Sequence, residues 1–210
     1  AEPLELAAVS SRTADNLQTA AARLSLGKTE LEDGRLRVDV AVVNLAGHKL
    51  PSAYPSRRAW IHLTVLDGQG STVFESGRFN PDGSIAGNDN DADPARFEPH
   101  YAEIRTQDEV QIYEPVLGDP ENRVTTVLLA ATQYVKDNRI LPMGFDKATA
   151  SGEIAVRGEA AEDPDFKAGG DVIRYAVPVG ASTGPYTVKA ELWYQPISYR
   201  WGRNIEDRPS

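Results

Sequence analysis

Leu36-Arg37-Val38-Asp39-Val40-Ala41-Val42 alternates aliphatic with polar or small residues and so puts Leu36, Val38, Val40 and Val42 on one side of an extended chain. One side of such a strand seeks a core and the other seeks water. Just upstream, Glu32-Asp33-Gly34-Arg35 supplies turn residues, and Leu31 ends the run before it, so the segment reads as strand, tight turn, strand. A second hairpin follows: residues 59–66, the turn Asp67-Gly68-Gln69-Gly70, then residues 71–75. Strand patterns return at 109–116, 124–131, 152–157, 172–179 and 186–194, although 124–135 suits a buried helix as well as a strand. Helical spacing is confined to residues 6–24, where Leu6, Leu17, Ala20, Ala21 and Leu24 can share a face.

Many short strands separated by Gly/Pro turns, with a single helix, predict an all-β fold: an antiparallel β-sandwich of Greek-key, immunoglobulin-like type. The expected organisation is an N-terminal helix or linker over 1–24 packing on the domain, and one sandwich domain over 25–210. Residues 77–100 stand out as a long Gly/Asn/Asp/Pro-rich acidic loop, longer than a compact domain usually carries without a reason.

Composition narrows the function classes. With 210 residues, 40% hydrophobic and 25% charged, the chain can bury a core. A formal charge of −9 lacks the basic face that a nucleic-acid partner needs. The absence of cysteine excludes disulfides, thiolate metal sites and covalent haem attachment. No apolar run approaches the ~20 residues of a membrane-spanning helix. Ala1-Glu2-Pro3-Leu4 shows no signal-peptide pattern, consistent with a processed start. No Gly-x-Ser-x-Gly, His-Glu-x-x-His or phosphate-binding glycine loop occurs, so no catalytic residues are assigned.

Four groups of residues carry chemistry. His48 follows Gly47 at a strand end and reads either as a loop histidine bonding a carbonyl or as an axial haem or metal ligand. His62 shares a strand face with Trp60 and Thr64, whereas His100 leaves the acidic loop and is the second cofactor-binding candidate. The three histidines lack the short spacings that pre-arrange a metal centre. Within the acidic loop, Asp82, Asp89, Asp91 and Asp93 offer hard oxygens for calcium, though Pro94 and His100 stand where an EF-hand needs glycine and glutamate. Arg57, Arg58, Asp137 and Arg139 read as a structural latch, with a haem propionate or anionic substrate as the other use of the arginines. The aromatic cluster Trp193, Tyr194, Tyr199 and Trp201 reads as the finish of a core.

Residues Gly47-His48-Lys49-Leu50-Pro51 and Tyr54-Pro55-Ser56-Arg57-Arg58-Ala59-Trp60 resemble a pattern of the C-terminal, non-haem region of periplasmic multihaem c-type cytochromes. The resemblance continues through Phe74-Glu75-Ser76-Gly77, Glu98-Pro99-His100-Tyr101, Gln111-Ile112-Tyr113-Glu114, residues 136–142 and Tyr194-Gln195-Pro196-Ile197. Ser52-Ala53 departs from the Thr-Gly of that pattern. The resemblance implies a periplasmic, electron-transfer setting and haem c in a parent protein. The partner it implies is a haem-bearing domain of that protein or a separate cytochrome, with His48 or His100 as distal axial ligand. Covalent haem is not carried over to this cysteine-free chain. The alternative expectation is a calcium-stabilised periplasmic binding module.

Overall fold

The computed structural model describes residues 3–52 and 54–206. Helix α1 (Pro3–Asn16) runs into a π-helical turn (Leu17–Ala21), and strand β1 (Ala22–Glu32) begins directly after it. The helical stretch therefore stops short of Leu24, which already belongs to β1. Strands β2 (Arg35–Asn44), β3 (Arg58–Leu66) and β4 (Thr72–Ser76) follow, and then the short helix α2 (Asp89–Ala92) inside the acidic loop. The chain continues with β5 (Glu103–Ile104), β6 (Ile112–Tyr113), β7 (Pro115–Gly118), β8 (Gln133–Asp137), β9 (Gly170–Pro178), β10 (Thr187–Gln195) and helix α3 (Tyr199–Glu206).

These strands make an all-β sandwich with one N-terminal helix. One sheet has the order β1-β2-β9-β5 and the other β10-β3-β4, with β6 added beside β3; β7 and β8 form a separate ribbon. The neighbours β2/β9 and β3/β10 are far apart in sequence and antiparallel, which gives the crossovers of a Greek-key arrangement. The one parallel pairing joins β5 to β9. The alternation of β2 works as expected: Leu36, Val38, Val40 and Val42 are all buried beside Ile173, Tyr175 and Val177 of the neighbouring β9, in one core with Ile61, Leu63 and Val65 of β3 in the other sheet.

Strand β3 is buried on both faces over its first half, because residues 77–112 cover its outer side. There Trp60 packs with Ile85, Val110 and Ile112, its indole N–H donating to the Gly77 carbonyl at 2.9 Å. Gly77 itself has φ +79°, and a Cβ at that position would lie 2.5 Å from the Ile61 carbonyl oxygen. The long acidic loop is thus the lid of a second, smaller core.

Several local expectations differ. Residues 152–157 form a 3₁₀ turn (Gly152–Ile154) and a single bridge at Arg157, not a strand. Residues 109–116 split into β6 and β7, with Glu114 between them. In the stretch 124–135, the strand covers only its end (β8), and Leu128 and Leu129 are exposed. Tyr199 and Trp201 lie on a helix, where Trp201 meets Tyr54 edge-on at 5.3 Å. Along α1 the side chains of residues 5–16 are exposed, Leu6 at 63%. Strand β1 is an edge strand, interrupted by a register shift between Leu26 and Thr29. Among the described residues, no helix is long and apolar enough to cross a membrane.

Candidate functional site

The loop between β2 and β3 is held from both sides. Asn44, buried at the end of β2, donates from Nδ2 to the carbonyls of His48 (2.8 Å) and Ile140 (2.9 Å), while its Oδ1 accepts from the Ala46 N–H. Leu50 and Ile140 exchange backbone hydrogen bonds at 2.9 and 2.8 Å. Lys49 reaches Asp137 at 2.7 Å, and Arg139 grips the same carboxylate with two bonds of 2.8 and 2.7 Å. Burial lowers the Lys49 pKa against the opposing pull of the Asp137 charge. Asp137 is wholly buried, so these two cations are what make its charge tolerable there.

On this fixed loop His48 is exposed. Its Nδ1 lies 3.0 Å from the Lys49 carbonyl, which can only accept, so Nδ1 carries the hydrogen and Nε2 presents a lone pair. Nε2 makes no hydrogen bond among the described residues. That arrangement, one ring nitrogen tied to a backbone carbonyl and the other bare, orients an imidazole for an iron or other metal. Two grooves flank His48. One is lined by Pro142, Phe145, Ile154 and Arg139, the other by Leu17, Ala21, Arg57 and Tyr194 below α1.

His100 is placed quite differently. Its ring is buried, with the side chain 1% exposed, and it faces inward. Nδ1 receives N–H groups from Gln111 Nε2 (2.8 Å) and Asn138 Nδ2 (3.1 Å). Nε2 points at Asp163 Oδ2 (3.4 Å) and Asp171 Oδ2 (3.7 Å). Burial turns the ring into the core, so neither nitrogen is presented at the surface where an iron outside the domain would sit. His62 sits on the outer face of β3 between Glu75 (3.0 Å) and Glu191 (3.2 Å), with Trp193 edge-on at 5.1 Å. The three histidines do not meet.

Of the four loop aspartates, Asp82, Asp89 and Asp91 line one groove, yet among the described residues no three of the four bring their oxygens within 4.8 Å of one another. Asp91 is 3% exposed and forms a two-pronged pair with Arg58, from Nη1 at 2.8 Å and Nη2 at 2.9 Å, besides accepting from the Ile85 N–H at 2.8 Å. Asp89 pairs with Arg96, Asp82 caps its own turn through Ser84, and Asp93 accepts from the Ala95 N–H. Each of the four thus makes internal bonds, and the alternate Asp spacing falls on turns and a short helix. Arg58 also donates to Gln195 Oε1 (2.7 Å) and the Gly83 carbonyl (3.2 Å), and Arg57 donates to the Ser52 carbonyl (3.1 Å). Both arginines thus serve the loop structure. Ala53, half of the Ser52-Ala53 departure, lies outside the described residues.

Among the described residues, the one gathering of three ligand-type side chains is His100, Asp163 and Asp171. Sequence reasoning missed both aspartates. Asp171 carries a weak signal, an acidic residue between Gly169-Gly170 and Val172-Ile173, whereas Asp163 is hidden in the acidic run Glu162-Asp163-Pro164-Asp165.

No family model and no curated protein matches this sequence. A solved structure does. The chain is similar to the crystal structure of a penta-heme cytochrome c552 from Thermochromatium tepidum, at TM-score 0.55 and 15% sequence identity over 93% of this chain. It spans 37% of that protein's length. At this identity the likeness is one of fold, and it extends over nearly the whole sandwich.

Proposed function

We propose that this chain is a non-catalytic accessory domain of a multihaem cytochrome-like, periplasmic electron-transfer protein, packing on a haem module and lending His48 as a distal axial ligand. The carrying observation is the state of His48: exposed, on a loop pinned by Asn44, Lys49 and Leu50, with Nδ1 tied to a carbonyl and Nε2 bare. Axial ligation is independent of thioether attachment, so a cysteine-free domain can supply it. The exposed apolar side chains Met143 and Ile154 beside the loop, and the uncovered face of α1 with Leu6 and Val9, suit burial against such a module. The fold likeness to the penta-heme cytochrome c552 supports the same reading.

The direct test mixes the chain with a short ferric haem c peptide that has a vacant axial position and follows the haem absorption. The expected outcome is conversion to a six-coordinate low-spin spectrum, abolished in His48→Ala and retained in His62→Ala. Equal conversion by His48→Ala would overturn the assignment. The wider setting is tested at the gene: Cys-x-x-Cys-His motifs upstream in the same reading frame, or in a co-transcribed partner, are expected. Their absence from both would overturn it.

A further inference from the structure

The polar cluster around His100 has a use beyond, and independent of, the ligand role of His48. Its protonation can be worked out from donors and acceptors alone. Gln111 and Asn138 cannot be turned end for end, because Gln111 Oε1 accepts the Tyr101 N–H (2.9 Å) and Asn138 Oδ1 accepts the Glu114 N–H (3.0 Å). Their amide nitrogens therefore both donate to His100 Nδ1, which must be a bare lone pair. The single ring hydrogen sits on Nε2 and points between the two carboxylates.

Two consequences follow. A metal on Nε2 would need the hydrogen moved to Nδ1, where it would face two further N–H groups, so the gathering of ligand types is not a metal centre. Protonating the ring would create the same clash, so His100 cannot be the cation that balances Asp163 and Asp171. Neither can the lysines. Lys136 Nζ is committed to Glu114 and the Ile112 carbonyl, and Lys147 Nζ to the carbonyls of Ala160 and Asp163.

Two carboxylates that are 5% and 0% exposed are then left sharing one site without a cation in contact, and like charges so placed do not both ionise. Among the described residues, His100 Nε2 and Asp163 Oδ2 have no hydrogen-bond partner, so the cluster lacks one short bond. We propose that the Asp163–Asp171 pair is a proton-binding site, holding one proton between its carboxyl groups beneath a neutral His100. The proton belongs to the pair, whose two groups titrate together.

The surroundings agree. Burial, and secondarily the Asp163 charge, push Asp171 up to about 7 despite the 2.8 Å bond from the Tyr113 hydroxyl. Burial likewise pushes His100 down to about 4, with Lys136 and Lys147 adding to the effect and Asp163 opposing it. From β6 and β9 the facing groups are Tyr113 and Tyr175, both held neutral by burial. Asp165, at the turn before β9, is paired with Arg174 at 2.6 Å, and Glu159 accepts the His100 backbone N–H at 3.5 Å.

The test is a carboxyl-carbon NMR titration of the full chain with labelled aspartate, alongside nitrogen shifts of the imidazoles. One aspartate carboxyl should titrate near 7, and that resonance should vanish in Asp171→Asn. His100 should keep the Nε2–H form throughout the ordinary imidazole range. Should Asp171→Asn fail to fold, Asp163→Asn should lower the high midpoint without abolishing it, since the burial of Asp171 remains, and an unmoved midpoint would overturn the proposal. Three other results would overturn it: every aspartate titrating in the ordinary acid range, His100 taking a proton above pH 6, or one equivalent of zinc binding the wild type and not Asp171→Asn.

Discussion

Removing Asp91 asks what the acidic loop is for. Its carboxylate accepts two guanidinium hydrogen bonds from Arg58 and the Ile85 N–H, and both ion-pair side chains are almost fully buried. Breaking a buried pair by deleting one partner costs about 3–5 kcal/mol, since the remaining charge stays desolvated. Against a domain stability of about 5–15 kcal/mol, Asp91→Ala should remove at least about a fifth of the total, and most of it if the domain is marginal. Arg58→Ala should cost a similar amount, because it also strands Gln195 Oε1 and the Gly83 carbonyl and removes the guanidinium from the Trp60 ring at 5.9 Å. The double variant Arg58→Ala/Asp91→Ala should cost less than the two single losses together, by up to about 3 kcal/mol. Urea unfolding followed by tryptophan fluorescence reads this cycle, as Trp60 lies next to the pair. The losses should be the same in calcium and in chelator. Additivity within about 0.5 kcal/mol, or a loss seen only when calcium is present, would refute the reasoning.

Stability against pH should show two opposed slopes from the His100 cluster. Folding raises Asp171 from an ordinary 3.8 to about 7, so over that window the folded chain keeps a proton the unfolded chain sheds, and rising pH removes stability. His100 is lowered from 6.5 to about 4, so there the unfolded chain binds the extra proton and rising pH adds stability. In wild type the two offset each other between about pH 4 and 6.5, whereas Asp171→Asn should gain stability with pH over that interval; urea midpoints parallel to wild type would contradict this. Gly77→Ala should destabilise by more than about 1 kcal/mol, as its positive φ and the Ile61 carbonyl both exclude a methyl group, and an unchanged melting curve would count against it. Leu63→Ala, at 0% exposure between the sheets, should cost about 2–5 kcal/mol in the same unfolding assay, and a loss under about 1 kcal/mol would show that the core closes around the gap.

What the chain reveals by pattern is what period and turn chemistry control. The buried faces of β2, β3 and β9 were legible because alternate residues meet a core on one side, and the Asp33-Gly34 turn because its backbone enters the positive-φ region at both residues. Strand β1 upstream of Leu31 was not legible, since an edge strand with exposed Lys28, Thr29 and Glu30 has no apolar side to announce it. The exposed Leu128 and Leu129 misled in the other direction, being hydrophobic without being core. At the candidate site, Gly47-His48 could be singled out from its neighbours, but the lone pair on His48 depends on the Lys49 carbonyl. The Asp163–Asp171 pair was out of reach for another reason. Its members meet His100 only through long-range folding, at sequence separations no motif spans.

The irregularity in β1 bears on how the molecule keeps to itself. An edge strand of 11 residues offers a row of free backbone donors and acceptors to any passing strand, the usual seed of aggregation. Here the register breaks between Leu26 and Thr29, and Lys28 and Glu30 stand paired at 2.7 Å on the exposed rim. A second copy laid alongside would lose its ladder at the break and meet charge beyond it. The same strand that hides from pattern reading therefore guards the sheet against polymerising edge to edge.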